Sequence, residues 1–232
     1  GGTYTGDLEF GVLNGASATN SVSFVTPSTD SVTITHSDSE NTIQLDGTDW
    51  VSFENFEILA TGSAGFTVHI TNAADHNTFK GCIIQANPSV TSTYSIPLVM
   101  SGNQTQYYAS GNNGNFNKFE DNQFIGGYWS IIVYGDGTTA PTKGNQFHRN
   151  THDRMYYYAG YLYYQDSLVF HDNKTLNYRS STNYGFFFYF NSNFDIQRNY
   201  IKCYYYNYLY YANYYNWNNT ANSTFANNTI IS

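Results

Sequence analysis

The residues best suited to acid–base or metal chemistry in this 232-residue chain are two histidines in its second half. His148 and His171, with Asp172 beside the second, form the densest group of titratable side chains in the sequence. Two imidazoles held close together could bind Zn²⁺ or share a proton. Their spacing of 23 residues also equals one interval of a repeat described below, so ordinary surface histidines would recur in the same way. We therefore treat His148, His171 and Asp172 as weak catalytic candidates, and we predict no metal site and no cofactor.

Other arrangements expected of an enzyme that acts on polysaccharides are incomplete. Lyases need a carboxylate cluster that holds Ca²⁺ together with a basic residue, and glycoside hydrolases use two suitably separated carboxylates. The turn Gly135-Asp136-Gly137 offers one isolated acid, and Glu54 and Glu57 have no basic partner in their motif. The sequence therefore favours a protein that is not an enzyme. If it is one, we expect a polysaccharide lyase or a glycoside hydrolase.

The composition excludes several other classes of function. The formal net charge is −8 and only nine residues are Lys or Arg, so no basic stripe exists to neutralise the phosphates of a nucleic acid. No apolar run reaches the roughly 18 residues that indicate a membrane-spanning helix. Aromatic residues make up 19% of the chain and charged residues 11%, which is typical of an ordered, strand-rich protein rather than a disordered one.

A repeat built on aromatic residues runs through the chain. Six segments follow one pattern: an aromatic residue or Ile comes first, then two variable residues, then a turn residue, and then a short apolar or polar segment. A degenerate seventh copy begins at Phe53. Five of the six intervals between first residues lie between 23 and 29 residues, and the longer one holds an insertion at 101–115. The segments are FKGCII from Phe79, FEDNQF from Phe119, FHRNTH from Phe147, FHDNKT from Phe170, IQRNYI from Ile196 and FANNTI from Phe225.

Each repeat also contains a second short strand ahead of this motif, such as FTVHI from Phe66 or IIVYG from Ile131. Two strands and a loop in about 25 residues, without a helical pattern, are what a parallel β-solenoid requires. Leucine-rich repeats need a Leu and Asn signature, and propeller blades are longer. We therefore predict an all-β solenoid of about eight coils. It forms a single domain over residues 1–232, and we expect that domain to be part of a longer chain or assembly.

Columns of equivalent residues predict contacts along the axis, because successive coils stack about 4.8 Å apart. The turn column is mostly Asn, whose amides can hydrogen-bond from coil to coil. The column before it alternates Asp and Arg, which predicts attraction in both directions along the axis. Cys82 and Cys203 lie several coils apart, so both are expected to be free thiols. The turn column comprises Cys82, Asn122, Asn150, Asn173, Asn199 and Asn228, and the charged column Gly81, Asp121, Arg149, Asp172, Arg198 and Asn227.

These motifs carry a resemblance to a known fold family. Phe147-His148-Arg149-Asn150 and the segment IQRNYI resemble repeats of the right-handed parallel β-helices of the pectin-lyase-like superfamily. The stretch NTIQLDGTDWVSFENFEI and the Tyr-rich coils resemble segments of large secreted surface proteins of Bacteroidetes. The resemblance covers essentially the whole chain and implies a right-handed parallel β-helix at the cell surface. Since this fold hosts lyases, hydrolases, adhesins and spacers, the resemblance does not specify an activity.

Tyrosine is concentrated towards the C-terminus, with 18 of the 24 tyrosines between Tyr156 and Tyr215. Alternation along the second strands predicts one inward column and two outward columns that become aromatic, and a shift of one residue would exchange these faces. The predicted inward column is Val68, Val133, Leu162, Phe188 and Leu209. The predicted binding residues lie on the two outward columns: Tyr161, Phe187 and Tyr208 on one, and Tyr134, Tyr163, Tyr189 and Tyr210 on the other.

Four interpretations of this outward face are open from the sequence. It packs against another copy or a neighbouring domain, it binds sugar rings by stacking, it belongs to a glycan-active enzyme centred on His148 and His171, or its tyrosines simply form soluble strands. We favour the first, a non-enzymatic, secreted or cell-surface structural or adhesive protein, with filaments as one form of contact. A carbohydrate-binding or carbohydrate-active β-helix is the alternative. The expected partners are the protein itself, neighbouring domains of the same surface protein, or a polysaccharide.

Overall fold

The computed structural model describes residues 1–27, 29–137, 141–202, 210–212 and 222–231. Within these ranges the chain forms strands, turns and loops, and no helix there is long and apolar enough to cross a membrane. The strands, in chain order, are β1 (Gly2–Thr5), β2 (Leu8–Phe10), β3 (Val22–Val25), β4 (Val32–His36), β5 (Ile43–Asp46), β6 (Val51–Glu54), β7 (Glu57–Ala60), β8 (Gly65–Thr71), β9 (Thr78–Lys80), β10 (Ile83–Ala86), β11 (Ser95–Met100), β12 (Lys118–Glu120), β13 (Gln123–Ile125), β14 (Trp129–Tyr134), β15 (Thr142–Lys143), β16 (Gln146–His148), β17 (Thr151–Asp153), β18 (Tyr158–Tyr163), β19 (Gln165–Asp166), β20 (Val169–His171), β21 (Lys174–Thr175), β22 (Tyr184–Tyr189), β23 (Asp195–Gln197), β24 (Tyr200–Lys202), β25 (Tyr210–Ala212), β26 (Thr224–Ala226) and β27 (Thr229–Ile231).

Three long parallel sheets build the molecule. Sheet A has the order β1-β4-β7-β10-β13-β17-β21-β24-β27, sheet B the order β2-β5-β8-β11-β14-β18-β22-β25, and sheet C the order β3-β6-β9-β12-β16-β20-β23-β26. Each coil passes once through all three sheets, and the pair β15–β19 adds a short fourth sheet. The chain is therefore an all-β parallel solenoid of about seven turns, which confirms the predicted fold class and comes close to the predicted number of coils.

The predicted motif positions form the core of sheet C. From Phe53 to Ile196 the first residue of each motif is buried, whereas Phe225 in the last motif is exposed. Ring centroids from Phe24 to Phe170 are 4.8 to 5.8 Å apart along the ladder. Phe53, from the degenerate motif, occupies a regular place in this ladder. Phe24 extends it by one further coil, which the motif did not identify.

The predicted Asn ladder is confirmed at the turn between sheets C and A. Asn122, Asn150, Asn173 and Asn199 are buried, and each Oδ1 accepts the backbone N–H of the preceding coil. Each Nδ2 donates to a carbonyl of that coil at 2.9 to 3.0 Å. Cys82 continues the column, with its thiol 3.4 Å from the Phe53 carbonyl.

A second Asn ladder, not predicted, lies at the corner before sheet C. Asn77 N–H donates to Asn117 Oδ1 at 2.8 Å, and Asn117 N–H donates to Asn145 Oδ1 at 2.9 Å. Each of these residues stands two positions before a ladder phenylalanine, in Asn-x-Phe. Leu168 and Phe194 take the equivalent place in later coils, so the column changes from amide to apolar.

The charged column forms separate ion pairs. Arg149 binds both carboxylate oxygens of Asp121 at 2.7 and 2.9 Å, and Arg198 binds Asp172 at 2.9 Å in the same bidentate way. Direct contacts in the described residues thus fall within two pairs, whereas attraction in both directions along the axis was predicted. All four residues have φ near +55°, a left-handed conformation that the sequence did not indicate.

Candidate functional site: the aromatic face of sheet B

The inward and outward faces of sheet B follow the predicted parity. Val133, Leu162 and Phe188 are buried in the core, and the neighbouring tyrosines point outward. Tyr208 and Leu209 lie outside the described residues, and of Tyr210 only the backbone is described.

The predicted register of sheet B is wrong by two residues at both ends. Val133 pairs with Met100, whereas Val68 pairs with Leu98, which lies two residues earlier on the same strand. At the other end, Tyr210 pairs with Phe187, whereas it was placed in the column of Tyr189. Alternation specifies which face a residue occupies but repeats every two residues, so a two-residue shift leaves the faces unchanged.

Three ladders of rings stand side by side on the outer surface of β14, β18 and β22. The first ladder stacks Trp129, Tyr158 and Tyr184, with centroids 4.6 and 4.7 Å apart and ring planes 9° and 17° from parallel. Tyr161 stacks on Phe187 at 4.7 Å in the second ladder. We name this surface the aromatic face, and its residues are Trp129, Tyr134, Tyr158, Tyr161, Tyr163, Tyr184, Phe187 and Tyr189.

The third ladder joins the second to make one continuous surface. Tyr134 stacks on Tyr163 at 5.0 Å, and Tyr163 contacts Tyr189 at 5.1 Å. Tyr161 and Tyr163, two residues apart on β18, lie 5.1 Å apart with nearly parallel rings. The structure thus brings together the predicted residues Tyr134, Tyr161, Tyr163, Phe187 and Tyr189.

Trp129, Tyr158 and Tyr184 were missed because the strands interrupt the alternation. Tyr158 and Tyr161 both point outward although they are three positions apart, and the two residues between them, Ala159 and Gly160, are both buried. The run Tyr156-Tyr157-Tyr158 ahead of the strand was the available signal. A strict period of two could not include these residues.

The rings bury one another in part, and all eight residues of the face are half-buried. The phenols of Tyr158, Tyr161 and Tyr163 are close enough to interact with one another electrostatically. Burial, followed by the neighbouring phenols, raises the pKa of Tyr158 and Tyr163 well above the ordinary tyrosine value, and burial also raises the pKa of Tyr161. The face is therefore amphipathic, with apolar rings and a row of neighbouring phenol hydroxyls.

Alkaline titration should reveal these coupled tyrosines. Because the folded state raises their pKa, Tyr158, Tyr161 and Tyr163 contribute stability that is present below pH ~10 and is lost as pH rises further. We expect ultraviolet absorbance to show fewer phenols ionising around that pH in the folded protein than in urea. Tyr161→Phe should remove one late-titrating group. Identical folded and unfolded titration curves would contradict the described face.

Towards the N-terminus the same surface is covered by the chain itself. Phe66, Ile96, Val99 and Ile132 form a small outer cluster. Tyr107, from the predicted insertion, packs on this cluster and lies 6.0 Å from the Trp129 ring. The insertion therefore covers the middle of sheet B and leaves the aromatic face beyond it.

Beyond that covered region lies a polar depression, which we name the N-terminal cleft. Its volume is about 460 Å³, and amides, carboxylates and two rings line it. Gln44 Nε2 donates to Glu9 Oε1 at 3.3 Å across neighbouring strands. The residues that line it include Glu9, Glu40, Asn41, Gln44, Phe66 and Tyr94.

The predicted histidine pair lies on the outer surface of sheet C, away from the aromatic face. His148 and His171 pair across β16 and β20, with ring centroids 5.5 Å apart. His171 Nε2 lies 3.0 Å from Asp195 Oδ2, and His148 Nε2 lies 3.3 Å from Gln146 Oε1. Burial and then His171 lower the pKa of His148. Asp172 is directed to Arg198, so the structure joins the two histidines but not the third candidate.

The predicted free thiol is confirmed for one cysteine. Cys82 is buried and unpaired, and burial raises its pKa to about 11. Such a thiol is protonated at neutral pH and is a poor nucleophile. Cys203 lies outside the described residues.

No protein-family model, no curated protein and no solved structure matches this chain. The parallel β-solenoid therefore rests on the strand pairing itself. Neither the pectin-lyase-like superfamily nor a Bacteroidetes surface protein is shown by these comparisons.

Proposed function

We propose that the protein is a non-enzymatic, secreted or cell-surface structural or adhesive solenoid that makes protein contacts through its aromatic face. One observation carries this proposal: eight aromatic side chains form three adjoining ladders on the outside of a single sheet. The outer surface of sheet C differs, since its columns contain Lys118, Glu120, Gln146 and His148. An ordered aromatic surface of this extent is typical of a contact site.

The chemistry of the face favours a protein as its partner. Tyr and Trp are enriched where protein interfaces concentrate their binding energy, because they offer large area and a polar end. Stacking already restricts the rings of Tyr161 and Phe187, so little further side-chain entropy is lost on binding. The proposed partner is a second copy or a neighbouring domain of the same surface protein.

Charge also favours self-association at this face. The chain carries a net charge of −8, which opposes close approach of two copies over most surfaces. None of the eight residues of the aromatic face is charged. Two copies meeting there would bring uncharged rings and hydroxyls together. Filaments would form if repetition of the contact does not close into an assembly of fixed size.

Sedimentation equilibrium over a wide concentration range tests the proposal. We expect the wild-type chain to associate, and we expect Tyr161→Ser with Phe187→Ser to weaken association at least tenfold, because these residues lie at the centre of the face. Tyr108→Ser is the matched control, since Tyr108 is an exposed tyrosine of the insertion and lies outside the face. A wild-type chain that stays monomeric and binds no neighbouring domain would refute the proposal, as would unchanged association of the double variant.

A carbohydrate-binding or carbohydrate-active protein is the second candidate, and the N-terminal cleft supports it. Its amides and carboxylates can hydrogen-bond sugar hydroxyls, and Tyr94 offers a partly exposed ring for stacking. Glycan arrays with neutral and acidic polysaccharides test binding, and Gln44→Ala should abolish a true signal. For catalysis at the histidine pair, equal sugar release by wild type and His148→Ala/His171→Ala would exclude it.

A further inference from the structure

The first coils of the solenoid contain a convergent group of side chains that lies outside both the aromatic face and the histidine pair. Asp7 lies between β1 and β2, His36 ends β4, and Glu40 lies before β5. One ring nitrogen of His36 and one carboxylate oxygen of each acid all lie within 4.8 Å of one another. Among the residues that the structure describes, no other three His, Cys, Asp or Glu side chains converge in this way.

Asp7 and His36 are brought together by the stacking of the first two coils. Thr5 pairs with Thr35 at the end of β1 and β4, and the Gly6 N–H donates to the Thr35 carbonyl at 2.9 Å. Asp7, just after β1, and His36, at the end of β4, therefore lie on neighbouring coils at the same corner of the solenoid. The backbone holds the group in place, independently of any ion.

His36 supplies a second, independent indication of a ligand. Its side chain is nine-tenths buried, and its Nδ1 is a buried atom without a hydrogen-bond partner. The other ring nitrogen, Nε2, lies 3.7 Å from Asp38 Oδ2. Metal-bound histidines commonly direct their second nitrogen to a carboxylate, which fixes the tautomer and the ring orientation. Nδ1 is thus left without a protein partner, and a bound ion would satisfy it.

The charge distribution of the chain favours a cation at this end. Residues 1–79 contain ten Asp and Glu residues and no Lys or Arg, and the first basic residue is Lys80. The acids of the group therefore have no basic side chain from their own coils to neutralise them. A bound dication would supply that charge.

The ligand set selects the kind of ion. One imidazole nitrogen and two carboxylates match Zn²⁺ and similar transition metals, whereas Ca²⁺ takes six to eight oxygens. A tetrahedral Zn²⁺ holds its ligand atoms roughly 3.3–3.5 Å apart, as bond lengths near 2.0–2.2 Å require. Asp7 and Glu40 are exposed, so their side chains are free to close the group to that size.

We propose that Asp7, His36 and Glu40 bind one divalent transition-metal ion, with Zn²⁺ as the best match. Asp7 and Glu40 also line the N-terminal cleft, so the ion would lie in its wall. Three protein ligands leave a fourth position of a tetrahedral ion for water or for an oxygen of a molecule in the cleft. This site is independent of the aromatic face.

Isothermal titration of the chelator-treated protein with ZnCl₂ tests the site. We expect one equivalent to bind to the wild type, and His36→Gln and Glu40→Gln each to weaken binding at least tenfold. Glu57→Gln and His76→Gln are matched controls, because they change the same residue types in the N-terminal coils but outside the group, and they should bind as the wild type does. The absorption spectrum of bound Co²⁺ should indicate a tetrahedral site.

Two results would overturn the proposal. The first is a wild-type protein that binds no Zn²⁺ or Co²⁺. The second is binding that His36→Gln, Glu40→Gln and Asp7→Asn leave unchanged, which would place the ion elsewhere. Because Asp7 and Glu40 are exposed, Asp7→Asn and Glu40→Gln should fold, and circular dichroism spectra equal to that of the wild type would confirm it.

Discussion

Asn150→Ala is expected to destabilise the protein by about 3–5 kcal/mol, since it removes a side chain that joins three coils. Asn150 Oδ1 accepts from the Asn122 backbone N–H at 3.0 Å and from Asn122 Nδ2 at 3.1 Å. Its Nδ2 donates to the Phe119 carbonyl at 2.9 Å and to Asn173 Oδ1 at 3.0 Å. The truncation therefore leaves buried polar groups without partners, and each such group costs about 1–3 kcal/mol.

Urea unfolding followed by circular dichroism measures this loss. Cys82→Ala is the matched control, because Cys82 occupies the same column with only weak thiol contacts, and we expect it to cost about 1–2 kcal/mol. A solenoid depends on contacts between neighbouring repeats, so Asn150→Ala should also broaden the unfolding transition. Equal losses for the two variants would show that the amide ladder contributes little beyond packing.

Acidification from pH 6.5 to pH 4 is expected to remove about 3 kcal/mol of stability through each of two buried histidines. Burial lowers the pKa of His152 to about 3 and that of His69 to about 4. Both residues stay neutral in the folded state while the unfolded chain takes up protons below pH ~6.5. Stability is therefore intact above that pH and falls steadily as the pH decreases towards the folded-state pKa values.

The contacts of both histidines explain why the neutral form is kept. His152 lies between the rings of Phe124 and Phe186, and its Nδ1 is 2.8 Å from Ser130 Oγ. His69 Nδ1 faces Asn41 Nδ2 at 3.2 Å, and an amide nitrogen can only donate. Nδ1 of His69 must therefore be unprotonated.

Replacing the histidines should flatten this pH dependence. His152→Phe with Ser130→Ala extends the inward column of Phe124 without leaving an unpaired hydroxyl, and His69→Gln continues the column of Gln44. Urea unfolding at pH 7 and pH 4 should show a smaller loss in each variant than in the wild type. Carboxylates that titrate in the same range are present in the wild type and in both variants, so their contribution to the loss cancels in the comparison. A pH dependence equal to that of the wild type in both variants would exclude this cause.

Much of the solenoid was predictable because its motifs are local. Phe119 and Asn122 stand three residues apart in one short turn, and the same pair recurs at nearly constant intervals. Because successive coils stack, each repeated side chain lies on its counterpart in the next coil and the copies form a ladder. The second Asn ladder, through Asn117 and Asn145, escaped the prediction although its Asn-x-Phe signal was present, because later coils replace the amide with apolar residues.

The sequence by itself determined the repeat, the parallel sheets and the faces of sheet B, since period and parity are encoded within each strand. Only the tertiary structure decided the strand register at Val133, the outward position of Tyr158 and the convergence of Asp7 with His36. Pairing depends on how each coil closes, and coils of unequal length close differently. A break in alternation or a meeting of two turns is a property of neighbouring coils together, which no single strand specifies.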